Sequence, residues 1–504
     1  MTDSGSILLT VLWTLPLAGA AITLLLGTTP RTARVLAVGF AGLEVLLSLL
    51  LFGGGGTGQF RFTQRVPWVP AWGVSYRVGV DGISMFLVML SAVMTLFAIL
   101  ASGSELPRGK QYLALLLTLE SATVGSFVAL DLVLFYLFWE LMLVPVYLLI
   151  VGWGGPNRAR AGLRFLIYSF VGSLFMLVSI IALGYEAFTL HHQWTFSLVR
   201  LVGLPLSPVA AGWLFAGFAI AFAVKAPLWP FHGWLPEAYT EAPLPVAAVL
   251  SGVLSKAGVY GFLRFALPLF PVAARHFLPV LGVLAVVGIL YGAVLALTQQ
   301  NMRRILAFSS LSHMGLILLG AFAVTAIAVE GTVLQMVNHG IIIGALFFLV
   351  GMMELRTGGS DLHALGGLAR RAPVMAGLAL GIVLAALGLP GLNGFAGEFL
   401  ILLGVFQRVP GWGWAAIVAV VLAAAYMIRF FQGAWHGSGE DRGELGGRDL
   451  LGRERVVLVP LLLLMVLLGL WPSWLVGRVA PAAQRVTDRV GLVAPRIPGR
   501  GVSR

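Results

Sequence analysis

Three ionisable side chains interrupt long apolar runs of this sequence. Glu140 lies in DLVLFYLFWELMLVPVYLL, Lys225 in GFAIAFAVKAPLWPF and Lys256 in VAAVLSGVLSKAGVYGFL. A charge at the centre of a membrane costs about 2.5–3.5 kcal/mol or more, and charged residues at such positions commonly mark ion or proton pathways. The three residues are therefore candidates for binding and releasing protons.

Lysine is the informative residue type here. The chain holds three lysines, and two of them, Lys225 and Lys256, lie inside apolar runs, whereas arginine supplies nearly all of the +12 net charge. A buried lysine can titrate near neutral pH, while arginine stays charged. We expect Glu140 to hold Lys225 protonated when the two are paired and to let it release the proton when they separate. The alternative is a static ion pair that locks two helices, a purpose that apolar residues also serve.

Two histidines, His313 in AFSSLSHMGLILL and His339 in LQMVNHGIIIGAL, extend the series of polar residues. Neutral histidine titrates near physiological pH and can relay protons. A lone histidine in a helix is more often a hydrogen-bonded structural residue. Serine, glutamine and asparagine neighbours could order water around both rings, which favours the relay.

Glu398, in GLNGFAGEFLILL, completes the series, and Glu120, in LLLTLESATVGSF, is a possible further member. We predict a hydrated polar axis in the plane of the membrane. Its proton-carrying residues are Glu140, Lys225, Lys256, His313, His339 and Glu398.

The other acids are weaker candidates. Asp81, in VGVDGISM, is expected to cap the N-terminus of a helix, where a carboxylate is favoured. Glu44 and Asp131 are expected near helix ends and membrane interfaces.

Composition sets the class of protein. The chain is 59% hydrophobic and 10% charged, against about 45–50% and about 25% for soluble domains. It has no cysteine, which excludes disulfides, Cys-ligated zinc and Cys-ligated iron–sulfur clusters. No GxxxxGK[ST] loop, HExxH motif or tight histidine pair occurs. We expect no cofactor and no metal in this chain, and no nucleic-acid partner, because its arginines lie at helix ends.

Apolar runs near 20 residues predict an all-α polytopic membrane protein of about fourteen transmembrane helices. The N-terminal run lacks a basic leading region and a clear cleavage site, so it is expected to be a helix and not a signal peptide. The predicted spans are 6–26, 33–53, 81–102, 111–130, 132–151, 162–185, 208–229, 243–266, 277–298, 302–323, 326–353, 373–402, 412–435 and 455–476.

Two of these spans contain helix-breaking sequences, KAPLWPF at 225–231 and LGLPGLNGF at 387–395. Proline kinks a helix, and paired interrupted helices in corresponding positions indicate inverted-topology repeats. The alternative is that prolines are simply common in membrane helices. The predicted organisation is three N-terminal helices (1–110), a first five-helix repeat (111–266), a second inverted repeat (277–435), a fourteenth helix (455–476) and an arginine-rich tail (477–504).

The arginines predict the orientation. Connections that follow odd-numbered spans carry more Lys and Arg than those that follow even-numbered spans, so the positive-inside rule puts both termini outside. Arginines after Trp474 oppose this trend.

Several motifs resemble the antiporter-like subunits of respiratory complex I and the related cation/proton antiporters. They are FWELMLVPVYLLIVGWGG, FAVKAPLWPFHGWLPEAYTEAPLPVAAVLSGVLSKAGVYGFLR, NMRRILAFSSLSHMG, NHGIIIGALFF and PGLNGFAGEF. The resemblance covers roughly residues 75 to 475. Glutamate at 398, where most family members carry lysine, is typical of one of the three complex I subunits of this type.

The resemblance implies roles and partners. Glu140 and Lys225 would be a coupling pair, Lys256 the central relay and Glu398 the exit-side group, with His313 and His339 between them. NADH, flavin, iron–sulfur clusters and quinone would lie on other subunits of the complex. Other antiporter-like subunits would be neighbours in the inner membrane of a bacterial cell.

Three alternatives remain open at this point. One is a subunit of a sodium/proton antiporter with the same fold, and another is a subunit of a membrane-bound hydrogenase or formate-linked complex. The third is a scaffold that carries no protons.

Overall fold

The structure is a computed structural model that describes residues 7–53, 59–103, 106–437 and 449–491. Helices dominate these ranges. In chain order they are α1 Leu8–Leu26, α2 Pro30–Ser48, α3 Ser84–Ala101, α4 Gly109–Val128, α5 Leu132–Leu141, α6 Leu143–Trp153, α7 Arg158–His191, α8 Leu198–Leu201, α9 Pro208–Lys225, α10 Leu235–Glu241, α11 Leu244–Val249, α12 Ser255–Gly261, α13 Leu267–Leu269, α14 Pro271–Thr298, α15 Met302–Ala323, α16 Ala326–Thr357, α17 Leu368–Arg371, α18 Pro373–Ala386, α19 Asn393–Arg408, α20 Pro410–Trp435, α21 Gly452–Leu470 and α22 Pro472–Gly491.

Twelve helical stretches in the described ranges are long and apolar enough to cross a membrane. The α21–α22 pair, bent by 69°, counts as a thirteenth when it is taken as one span. The predicted span 373–402 is instead two shorter helices, α18 and α19, separated by six residues. The predicted polytopic all-α architecture is confirmed.

Both predicted helix breaks are present. α9 ends at Lys225, turns occupy residues 226–234, and α10 resumes at Leu235. The span was predicted to end at 229 with a connection after it, whereas α10 continues the broken span as a second helix. Pro236 fits there because the first turn of a helix needs no N–H from it.

The second break separates α18 from α19. Gly388 and Gly391 take positive φ angles of +70° and +95°, which L side chains rarely adopt. The break therefore follows from the local sequence LGLPGLN as well as from the tertiary packing.

The centre of the molecule is formed by three spans. Residues Leu244–Leu269, α15 and α16 are buried along their whole apolar windows, whereas α7, α14 and α20 leave apolar faces exposed to lipid or partner subunits. Gly252 and Gly340 bring two of the central backbones close together, because a Cβ on Gly340 would stand 2.6 Å from the Gly252 carbonyl oxygen. Small residues allow such close helix contacts in membranes.

An antiparallel hairpin between α2 and α3, β1 Arg61–Val69 and β2 Val74–Val80, was not predicted from the sequence. Val74, Tyr76, Val78 and Val80 alternate with period two, which is the strand signal. The turn contains Gly73 at φ +66°, where a Cβ would overlap the Trp194 backbone. The hairpin therefore needs glycine at its turn.

Part of the segment expected to be an arginine-rich tail, from 477 onward, belongs to α22. This helix buries Leu475, Val479 and Val486 and exposes its arginine-bearing side. Arg275 donates to the carbonyl oxygens of Val490 and Gly491, at 2.6 Å each. The helix is thus fixed to the body of the protein at its far end. Residues 492–504 lie outside the described ranges.

Candidate functional site

Lys256 lies on a span whose helical geometry is irregular on both sides of it. The segments Leu250–Leu254 and Phe262–Ala266 are π-helical, and α12 is the single α-helical stretch between them. Wide π turns rotate the following side chains and occur often at functional sites. The small residues of SGVLSKAGVYG allow this geometry, which was not predicted from the sequence.

The Lys256 ammonium group has three acceptors around it. Its Nζ donates to the Ser251 carbonyl oxygen, lies 3.4 Å from Ser255 Oγ and lies 2.8 Å from His339 Nδ1. An ammonium has three N–H donors, so this environment suits protonated lysine with an unprotonated Nδ1 on His339. The Lys256–His339 contact joins α12 to α16.

From His339 the series continues to Glu398. The rings of His339 and His313 lie 5.3 Å apart between centroids, and His313 Nδ1 lies 3.2 Å from Glu398 Oε1. Gln335 Nε2 also donates to Glu398, at 3.3 Å. These side chains line a cavity of about 10 Å³, which is room for about one water molecule.

Two residues that support this cluster, Tyr426 and Asn393, were missed from the sequence. Tyr426 OH lies 3.4 Å from His313 Nε2 and 3.0 Å from Ser309 Oγ. Asn338 Nδ2 donates to the Asn393 carbonyl oxygen at 2.7 Å, which links α16 to the break before α19. The motif NHG placed Asn338 beside His339, but its partner at Asn393 is distant in sequence and had no local signal.

Lys225 ends α9 at the first break and faces aromatic rings. Its Nζ lies 5.0 Å from the Trp139 ring centroid and 5.9 Å from that of Phe165, at distances suitable for cation–π attraction. The Nζ has no hydrogen-bond partner within the described part of the chain. Trp234 Nε1 donates to the Val224 carbonyl oxygen at 2.9 Å, which fixes the helix end that carries the lysine.

Glu140 lies on a partly exposed face of α5, just before a helix irregularity at Met142. Pro145 accounts for that irregularity, because it has no N–H for the Leu141 carbonyl oxygen. Across the described residues no ion pair joins Glu140 to Lys225, and Glu140 Oε1 has no hydrogen-bond partner. The structure therefore places these two residues in the separated arrangement.

Of the remaining acids, two cap the starts of helices and two have no hydrogen-bond partner among the described residues. Asp131 caps α5 through the N–H groups of Val133 and Leu134. Asp81 caps the turn before α3 and also forms a buried ion pair with Arg264.

Glu44 and Glu120 are buried at 0% and 1% exposure, and no side-chain oxygen of either has a partner in the described ranges. Glu44 lies four residues before α2 ends at Ser48, near a helix end as expected, but its side chain is fully buried. Its side chain lies on the buried face of α2 that also carries Ala37 and Ala41.

The central contacts form a buried series from Lys256 through His339 and His313 to Glu398. Lysine, histidine and glutamate are all ionisable side chains, and consecutive members of this series lie close to one another. The arrangement can therefore transfer a proton laterally between the two helix-break regions.

Comparisons with known proteins agree with this geometry. Residues 129–423 match the family model described as NADH:quinone oxidoreductase/Mrp antiporter, transmembrane. A Mycobacterium tuberculosis protein called NADH-quinone oxidoreductase subunit M is 36% identical, with 98% of each chain covered.

Two solved structures are also similar. A chain of respiratory complex I from Thermus thermophilus, determined with bound NADH, is 36% identical with a TM-score of 0.86, covering 96% of this chain and all of that one. A chain of the Mrp complex from Dietzia is 23% identical with a TM-score of 0.82, covering 96% of this chain and 52% of that one. The latter likeness shows the fold alone.

Proposed function

Because the chain belongs to the family of NADH:quinone oxidoreductase and Mrp antiporter membrane subunits, and within it to the group called NADH-quinone oxidoreductase subunit M, we propose that its buried polar series carries protons. The chain is a multi-pass, antiporter-like membrane subunit of this oxidoreductase. Its activity is to couple electron transfer from NADH to quinone with proton translocation.

One observation supports these residue roles best: the series of contacts from Lys256 to Glu398. A proton leaving Lys256 Nζ is accepted by His339 Nδ1, and the imidazole then releases the proton on Nε2. Water in the adjacent cavity carries it to His313, whose Nδ1 faces Glu398. Each transfer leaves the donor one charge unit more negative and the acceptor one unit more positive, so charge is conserved.

Lys225 and Glu140 have the role of a switch in this proposal. When Glu140 approaches, its charge holds the Lys225 proton. When the two are apart, as in this structure, Lys225 faces aromatic rings instead of a carboxylate and can pass its proton toward Lys256. The electrostatic signal that moves Glu140 comes from neighbouring subunits.

The proposal also covers cofactors, partners and location. This chain carries no redox centre, and NADH, FMN, iron–sulfur clusters and quinone bind elsewhere in the complex. The L-type and N-type antiporter-like subunits are its neighbours. It lies in the bacterial inner membrane with both termini outside.

The test is NADH-driven proton uptake by the whole complex reconstituted in vesicles. Lys225→Ala and Glu398→Gln are expected to assemble, and Lys225→Ala is expected to lose most proton uptake. A scaffold role predicts instead that Lys225→Ala assembles and pumps normally. Sodium-dependent transport that does not respond to NADH would favour a sodium/proton antiporter subunit. Hydrogenase subunits that co-purify with the chain would favour a membrane-bound hydrogenase complex.

A further inference from the structure

Glu44 and Glu120 form a pair of buried acids outside the series just described. The helices that carry them, α2 and α4, pack directly against each other. All four carboxylate oxygens are inaccessible and have no hydrogen-bond partner in the described part of the chain. An ionised carboxylate in such a place would be strongly disfavoured.

The two acids lie at the same depth in the membrane. α1 and α2 are antiparallel, with Gly19 packed on Phe40 and Gly27 on Ala33, so residue 44 is level with residue 15 or 16 of α1.

α1 and α4 are also antiparallel. Ser121 Oγ donates to the Trp13 carbonyl oxygen and Lys110 Nζ to that of Leu24, so residue 120 is level with residue 14. With a rise of 1.5 Å per residue, the heights of Glu44 and Glu120 differ by about 1.5 to 3 Å.

No cation balances the pair on the helices that carry it. The basic residues of α2 and α4 lie in or next to their first turns. Arg34 precedes Glu44 by ten residues and Lys110 precedes Glu120 by ten residues, which is about 15 Å along each helix. α1 and α3 carry no titratable side chain over their described lengths.

Other elements that pack on α4 also carry titratable groups. α5 brings Glu140 and its capping residue Asp131, β2 brings Tyr76 and Arg77, and α12 brings Lys256 and Tyr260. Three of these groups already have hydrogen-bond partners. Asp131 accepts from backbone N–H groups, Tyr76 OH accepts from Trp13 Nε1, and Arg77 donates to Ser197 Oγ.

Lys256 lies close to the pair in depth. Tyr260 OH donates to the Phe127 carbonyl oxygen at 2.9 Å, and α4 and α12 run in the same direction. Residue 253 is therefore level with Glu120, and Lys256 is about 4.5 Å further along the membrane normal. The acid pair belongs to the same layer as the central relay.

We propose that Glu44 and Glu120 bind one exchangeable proton between them and store it beside Lys256. Two carboxylates in one apolar site cannot both be ionised, because desolvation and mutual repulsion both oppose it. One shared proton removes the repulsion and provides the hydrogen bond that each carboxylate lacks. The species bound at this site is a proton. The role of the site in pumping rests on the function proposed above.

The proton can be observed directly by infrared spectroscopy of the assembled complex in membranes. At neutral pH we expect a carbonyl-stretch band of a protonated carboxylic acid that shifts in D2O. Glu44→Gln and Glu120→Gln are each expected to shift this band, because the remaining carboxyl group no longer shares its proton with a second carboxylate and faces an amide instead. Glu186→Gln, a part-exposed acid on α7, is the control and leaves it unshifted.

Two results would overturn the proposal. One is a wild-type band that stays unshifted in both single variants. The other is a band that added Na⁺ removes at constant pH, which would make the site a cation site. If either amide variant fails to assemble, Glu120→Asp keeps the acid and is expected to shift the band without loss.

The pumping role has a separate measurement. The double amide variant is expected to lower NADH-driven proton uptake at least threefold with assembly unchanged. A normal rate would overturn the storage role while leaving the infrared result intact. Loss of pumping in Lys225→Ala tests the proposed function independently of the infrared band.

Discussion

Lys225 and Lys256 have the same side chain in opposite surroundings. Lys256 Nζ meets three acceptors, whereas Lys225 Nζ meets two aromatic faces. The difference follows from their helices, since Lys256 lies within a buried span and Lys225 lies at a helix end. At the scale of single residues, the ammonium of Lys256 is held by hydrogen-bond acceptors, whereas that of Lys225 is held only by attraction to aromatic faces.

Arginine at position 256 tests whether this lysine must release a proton. Lys256→Arg keeps a positive charge and hydrogen-bond donors but cannot deprotonate. We expect the complex to assemble and NADH-driven proton uptake in vesicles to fall at least tenfold.

Lys110→Arg is the matched control, because Lys110 lies at an exposed helix start and donates to the Leu24 carbonyl oxygen. It should pump normally. Normal pumping by Lys256→Arg would show that a fixed charge at this position is sufficient.

Much of this residue pattern was predictable. The series from Glu140 to Glu398 follows from charges in apolar runs, and the structure brings Lys256, His339, His313 and Glu398 together. The burial of Glu44 was not predictable, because an apolar helix such as α2 does not reveal which of its faces meets other helices.

The broken span α9–α10 depends on how closely its neighbour approaches. Gly258 lies against the break, and a Cβ there would stand 2.5 Å from Ala226 N and 2.6 Å from the Phe222 carbonyl oxygen. Both are backbone atoms that cannot move independently. This contact sets the distance between the helices that carry the two lysines.

Alanine at 258 should therefore disturb coupling. Gly258→Ala is expected to push α12 away from α9 and to lower both thermal stability, by about 1–3 kcal/mol as for overpacked cores, and proton uptake. Gly212→Ala on α9, where a Cβ meets nothing within 4 Å, is the control and should match the wild type in unfolding temperature and uptake. Equal behaviour of the two variants would contradict the close packing.

A second element, α18, has its start fixed by one carboxylate. Asp449 accepts from Val374 N at 2.7 Å and from Met375 N at 3.0 Å. Partial burial opposes ionisation of Asp449, but these N–H donors, that of Leu450 and the charge of Arg455 outweigh it and lower the pKa of the carboxyl below its ordinary value.

The sign of the pH dependence follows from that direction. A lowered pKa in the folded state means that the cap stabilises α18 fully above the ordinary aspartate pKa, about 3.9. The stabilisation is lost as pH falls from that value through the lower pKa of the folded state. Hydrogen exchange at Val374 and Met375 should accelerate over this window, and Asp449→Asn should exchange faster already at neutral pH. If hydrogen exchange at Val374 and Met375 were unchanged in Asp449→Asn, the Asp449 carboxylate would not be what protects these N–H groups.

Most of the helices could be predicted from the sequence. Both helix breaks and most of the fourteen predicted crossings follow from prolines, glycines and apolar run lengths, and the described residues hold twelve or thirteen candidate spans. The hairpin of β1 and β2 had an alternating pattern that its position between membrane spans obscured. The π-helical turns around Lys256 have no comparable signal, because they depend on packing against α9 and α16.

At the scale of the whole molecule, α22 connects regions that are distant in sequence. Arg275 bonds to its last carbonyl groups, and Arg485 lies 3.8 Å from Asp81. The same helix borders an apolar groove of about 720 Å³ that Trp471 and Leu475 help to line. Its removal would expose this groove and the Asp81–Arg264 pair together.

A charge on the buried side of α22 tests this connection. Val479→Asp buries an unpaired carboxylate at a position with 0% exposure and is expected to reduce the fraction of the subunit that assembles, by more than half in a quantitative gel of the complex. Gln484→Asp adds the same charge on the exposed side and should assemble normally. Normal assembly of both variants would show that α22 is dispensable.

The hydrogen bond between Lys256 and His339 also bears on proton leakage when no NADH is being oxidised. A membrane keeps its electrochemical gradient only if protons do not flow back through the pump. In the proposed pathway, the 2.8 Å contact joins α12 to α16, so rotation of either side chain would interrupt proton transfer without any helix moving.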